Sequence, residues 1–131
     1  MHTQAMIATH PSAGGRGNDA LLAAVNAAAD CAQTCTSCAD ACLAEDMVAM
    51  LRRCIRLNLD CADICAATAA VASRRTETTG EVLAGLLRAC VAACRQCAEE
   101  CERHASRHDH CRICAEACRE CARACTEAIP A

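Results

Sequence analysis

Residues 31–42 read CAQTCTSCADAC and residues 90–101 read CVAACRQCAEEC. In both, cysteines recur at steps of four, three and four: Cys31, Cys35, Cys38, Cys42, then Cys90, Cys94, Cys97, Cys101. Side chains three and four residues apart share one face of an α-helix, so this spacing predicts two helices that each carry a stripe of thiols. The same rhythm extends through residues 111–125, CRICAEACRECARAC, with Cys111, Cys114, Cys118, Cys121 and Cys125. A shorter stripe carries Cys54, Cys61 and Cys65, with Asn58 where the rhythm asks for another cysteine.

Between the stripes the chain changes character. Residues 1–17 are Gly-rich and aperiodic, which reads as a flexible tail. Asn18 or Asp19 can cap the first helix, which runs to about Leu43. A joint of only a few residues around Ala44 to Asp46 makes the second helix its antiparallel neighbour. The polar stretch Ser73 to Gly80 ends helix two, with Thr76 or Thr78 with Glu81 as caps for helix three. A break near Ser106 to Asp109 separates helices three and four. The expected fold is all-α, an up-down-up-down four-helix bundle over residues 18–129 with a cysteine-lined core. The matching spacing in helices one and three fits duplication of a helical hairpin.

The 131 residues suit one modest core. They include 16 Cys but no Phe, Tyr or Trp, so small side chains or bound atoms must fill the space between helices. A net charge of -3, with scattered basic residues that are all arginine, argues against nucleic-acid binding. No stretch approaches the roughly 20 apolar residues that span a bilayer. The opening residues lack a basic region followed by an apolar one, so a cytoplasmic location is expected, where thiols stay reduced. Disulfides within a stripe are also disfavoured: same-face Cβ atoms lie about 5–6 Å apart, against the roughly 3.8 Å a disulfide needs.

Thiolates at this density point to soft metal ions: Cu(I), Zn(II) or iron–sulfur clusters. Sixteen buried thiolates require compensating charge. Cu(I) neutralises them at about one ion per cysteine, whereas each closed zinc site of four cysteines keeps a charge of about minus two. Zinc and cluster sites also draw Cys-x-x-Cys pairs from turns, while these pairs lie within helical patterns. Copper therefore leads, with zinc or iron–sulfur binding as the alternative. An enzyme is the weakest class, since no general base is placed beside a nucleophile and no phosphate- or dinucleotide-binding motif occurs.

The three cysteine runs just quoted, taken with the absence of an export signal, resemble the cytosolic branch of the bacterial copper storage proteins over about residues 18 to 128. The resemblance implies a four-helix bundle, often a homotetramer, that holds many Cu(I) ions on inward-facing cysteines. It leaves open which proteins donate or accept the copper.

The antiparallel order brings the helix one–two and three–four joints to one end. Met47, Met50, His104, His108 and His110 gather there, while Leu21, Val25, Val71, Leu83, Leu86, Leu87 and Ile129 gather at the other. Met47 and Met50 extend the second stripe and His104 and His108 the third, so Cu(I) is expected to pass in and out at this Met/His end. The plainer readings are core filling for the methionines and solvated helix ends for the histidines. His110 lies off the stripe and on the plain reading faces water. Asn58 reads first as a hydrogen-bonded core residue and second as a ligand. The Arg and Glu residues interleaved near the third and fourth stripes read as solvated faces. Alanine-rich helices with protonated thiols inside should fold without metal.

Overall fold

Alanine-rich segments with both prolines, Pro11 and Pro130, outside their interiors build four long helices. The computed structural model describes residues 2–12, 19–77 and 80–130. A short helix α1 (Thr3–Ala8) precedes α2 (Asp19–Leu43), a 3₁₀ turn (Val48–Leu51), α3 (Arg52–Ser73), α4 (Gly80–His104) and α5 (Asp109–Ala128). The four long helices are the four expected ones. Among the described residues there is no strand. Helix α2 packs on α3 and α5, and α4 packs on α5 and α3, which closes an up-down-up-down bundle.

The stripes turn inward as their spacing requires. All sixteen cysteines are buried and free. Between them lie buried alanines, among them Ala24, Ala28, Ala62, Ala98, Ala115 and Ala122, whose small side chains let the helices approach closely around the sulfur column. Val25 and Leu87 are buried toward the far end, where Leu83 and Ile129 pack against the same core. A cavity of about 310 Å³ opens at that end between Leu21, Val71, Leu83, Arg74 and Arg75. Charges suit the helix dipoles at the opposite end, with Arg103 and His104 in the last turn of α4 and Asp109 in the first turn of α5.

Several local expectations change. The segment read as a tail contains α1, which packs on α2 and buries Ile7 to 4% exposure. His10 Nε2 lies 3.1 Å from Thr76 Oγ1, which joins this segment to the α3–α4 connection. Thr76 is therefore occupied with His10 and sits ahead of α4 rather than capping it. Asp19 lies inside α2, and the proposed caps Asn18 and Thr78 lie outside the described residues.

The second stripe does not extend to the methionines. After α2 the chain turns through residues 44–47 and winds as a 3₁₀ turn before α3 begins. At three residues per turn, the face that points inward shifts relative to an α-helix. Leu51 takes the buried position, at 1% exposure, while Met47 and Met50 are 47% and 59% exposed. His108 likewise leaves the third stripe, because α4 stops at His104 and His108 becomes the N-cap of α5.

Candidate metal centre

Four inward stripes place sulfur against sulfur along the bundle. On the α2–α5 side, Cys31 Sγ lies 3.7 Å from Cys118, and Cys35 lies 3.6 Å from Cys118 and 3.7 Å from Cys114. On the α3–α4 side, Cys61 lies 3.7 Å from Cys94, and Cys65 lies 3.6 Å from both Cys90 and Cys94. Cys90, Cys121 and Cys125 link α4 to α5 at 3.8 to 3.9 Å. Cys54 and Cys97 each approach Cys101, at 3.8 and 4.0 Å.

Sulfurs within 4.8 Å of one another form sets of three or four that share members. Cys31, Cys65, Cys94 and Cys121 make one set; Cys31, Cys35, Cys61 and Cys118 make another; Cys35, Cys97, Cys114 and Cys118 a third. Nearer the joints stand Cys38, Cys42, Cys54 and Cys111. Because Cys31, Cys35 and Cys118 each belong to two sets, a sulfur can bridge two ions, which suits a continuous chain of low-coordinate Cu(I) better than isolated tetrahedral sites.

The thiols do not share one protonation state. Burial, helped by the charge of Cys54, pushes Cys42 up to about 11, and burial likewise raises Cys111. Cys54 moves the other way, to about 3, chiefly through hydrogen bonding from Cys101 and then from Cys38. Sulfurs that receive S–H bonds are favoured as thiolates and their donors stay protonated, so loading must release protons from the donors.

Asn58 is wholly buried among these sulfurs. Its Nδ2 donates to the Cys54 carbonyl at 2.7 Å, which fixes the orientation of the amide, because a carbonyl only accepts. Its Oδ1 then accepts from Cys114 at 2.9 Å and from Cys97 at 3.4 Å. The reading as a hydrogen-bonded core residue matches this arrangement.

At the joints, Glu45 of the α2–α3 turn meets His108, the N-cap of α5, and His110 in the first turn of that helix. Its Oε2 lies 2.6 Å from His108 Nδ1 and 3.0 Å from His110 Nε2, and the two rings stack with centroids 5.4 Å apart. Hydrogen bonding from His110 is the main reason that the Glu45 carboxyl sits below its ordinary range. His110, expected to face water, instead directs Nδ1 to 3.4 Å from Cys38 Sγ and 3.6 Å from Cys111 Sγ. Sequence spacing carried little signal for this, because adjacent residues of a helix do not face each other. His104 lies elsewhere, donating from Nε2 to Glu100 Oε2 at 2.9 Å. Glu100, read as part of a solvated face, is only 7% exposed and is flanked by Arg53 at 3.5 Å and Arg103 at 3.9 Å. Arg112–Glu116 and Arg123–Glu127 are exposed i, i+4 pairs, while Arg119 pairs across to Glu102.

Comparison with known proteins points the same way. The family model described as copper storage protein matches residues 17–130. The structure superimposes with a TM-score of 0.93 on the copper storage protein Ccsp from Streptomyces lividans loaded with 10 copper equivalents, at 48% identity over 97% of both chains. It matches the Cu(I)-bound copper storage protein BsCsp3 with a TM-score of 0.74 at 35% identity, covering 82% of this chain and 96% of that one. The uncharacterized cysteine-rich protein YhjQ of Bacillus subtilis (strain 168) is 38% identical over 93 residues, which is 71% of this chain and 81% of YhjQ.

Proposed function

The chain belongs to the copper storage protein family, and from that premise we propose how it stores Cu(I): many ions held by its buried cysteine thiolates, admitted and released at the end where Glu45 meets the histidines. The continuous contact of sulfur with sulfur carries this reading. Cys31, Cys35, Cys38, Cys42, Cys54, Cys61, Cys65, Cys90, Cys94, Cys97, Cys101, Cys111, Cys114, Cys118, Cys121 and Cys125 are its ligands. One Cu(I) per thiolate leaves the core near neutral, which separate zinc sites would not.

His110 is the imidazole nearest the sulfurs and joins the ligand set, although the stripes alone favoured His104 and His108. His104 and His108 stay in the proposal as exchange groups at the mouth. Met47 and Met50, being exposed, act at most as outer capture ligands there. A cytosolic setting follows the description of a relative from Streptomyces lividans as a cytosolic copper storage protein, 51% identical to this chain. Among the described residues no helix is long and apolar enough to cross a membrane. The reading includes a homotetramer, which light scattering tests, and it assigns the chain no catalytic step.

Anaerobic competition between Cu(I) and Zn(II) for the reduced protein tests the metal. The expected product is a colourless, copper-filled protein with ultraviolet charge transfer. Retention of zinc against excess Cu(I), or a brown protein after iron and sulfide reconstitution that resists Cu(I), would overturn the proposal.

A further inference from the structure

The contact of Glu45 with two stacked histidines decides which ring nitrogens carry protons. A carboxylate is acceptor-only, so each nitrogen bonded to it must bear the hydrogen. Glu45 Oε2 accepts from His110 Nε2 at 3.0 Å and lies 2.6 Å from His108 Nδ1. A neutral imidazole has a single N–H, so His110 keeps a bare Nδ1. The consequence falls on Cys38 and Cys111, whose sulfurs lie 3.4 and 3.6 Å from His110 Nδ1. A bare nitrogen there offers a lone pair to an ion held by those sulfurs, whereas an N–H would donate to a thiolate and block the position.

Resting on the storage reading above, we propose that Glu45 is the positioning residue of the mouth: its carboxylate holds His110 in the Nε2–H tautomer and thereby keeps Nδ1 open to Cu(I) beside Cys38 and Cys111. Glu45 reaches the histidines from a different joint, so it also holds the rings in register across the bundle. Without it, the sulfurs of Cys38 and Cys111 are the nearest acceptors for His110, and the proton moves to Nδ1. Outer carboxylates of this kind typically change metal affinity about 10–100-fold.

The test begins on reduced, metal-free protein labelled with ¹⁵N in histidine, where the protonated and bare nitrogens of each ring are distinguished by long-range proton–nitrogen correlation. Wild-type His110 should carry its proton on Nε2, and Glu45→Ala should move it to Nδ1. In chelator competition, the ion bound at His110 should weaken about 10–100-fold in Glu45→Ala, with total capacity and far-ultraviolet circular dichroism retained. A wild-type His110 protonated on Nδ1 overturns the proposal without need of any variant. So does Glu45→Ala with an unchanged tautomer, whatever its affinity. Failure of the storage reading looks different: the wild-type protein itself would then fail to accumulate Cu(I), while the tautomer remains measurable without metal.

Discussion

The sulfur column and the mouth above it are built from the same four helices but are held by different means. In the column, position follows from helical register alone: every cysteine at a three- or four-residue step is buried, and its partners are other cysteines on facing helices. At the mouth, register lapses into turns, and position depends on charged contacts between segments far apart in sequence, such as Glu45 with His108 and His110. A column made by repetition tolerates loss of one member, because neighbouring sulfurs overlap. A mouth made by a few unique contacts does not.

The largest expected effect separates the two regions directly. Replacing Cys31, Cys35, Cys61 and Cys118 together with serine removes one set of mutually close sulfurs, and capacity should fall by about four Cu(I) ions. Uptake of the first ions should remain fast, as read by anaerobic titration and stopped-flow absorbance. Unchanged capacity would break the comparison.

The reverse change comes next. His104→Ala with His108→Ala should slow transfer from a chelating donor while leaving most of the capacity. Equal rates and equal stoichiometry would remove those histidines from the route. Within the column, Asn58→Ala takes the acceptor away from Cys114 and Cys97 and should destabilise the metal-free fold by about 1–3 kcal/mol in reversible thermal or urea unfolding. No loss of stability would show that the thiols find acceptors among themselves.

Acid should distinguish the regions more gently. The folded pKa of Glu45 is depressed, chiefly by its bond with His110, so its contribution is fully present above the ordinary carboxylate range and is lost as pH falls through the lowered value. Amide exchange at the two joints should therefore quicken as pH falls below the ordinary carboxylate range, before the helix interiors open, and simultaneous loosening would contradict the distinction. The smallest effect belongs to the exposed pair of Glu102 with Arg119, where Glu102→Gln should cost no more than about 1 kcal/mol and leave copper loading unaltered.

The same contrast explains what was legible in the sequence. Cysteine spacing contains helix, face and bundle together, because one period determines all three, and the copper storage family could be recognised from it. Met47 and Met50 were misplaced because a 3₁₀ turn changes the period just before α3, and no residue in Val48–Leu51 announces it. His108 was misplaced because α4 ends four residues earlier than the stripe suggested. Glu100 looked like one more surface acid until Arg53 arrived from α3 to flank it, a contact that local pattern does not contain. The burial of Ile7 in a Gly-rich opening segment is a tertiary event of the same kind.

The claim that the column is a store, with the mouth as its access, is tested most directly by anaerobic titration of the reduced chain with Cu(I) until free copper appears. Saturation near one ion per thiol, with proton release as protonated cysteines are displaced, is the predicted result. Saturation at about one or two equivalents would contradict it and make the protein a carrier or sensor.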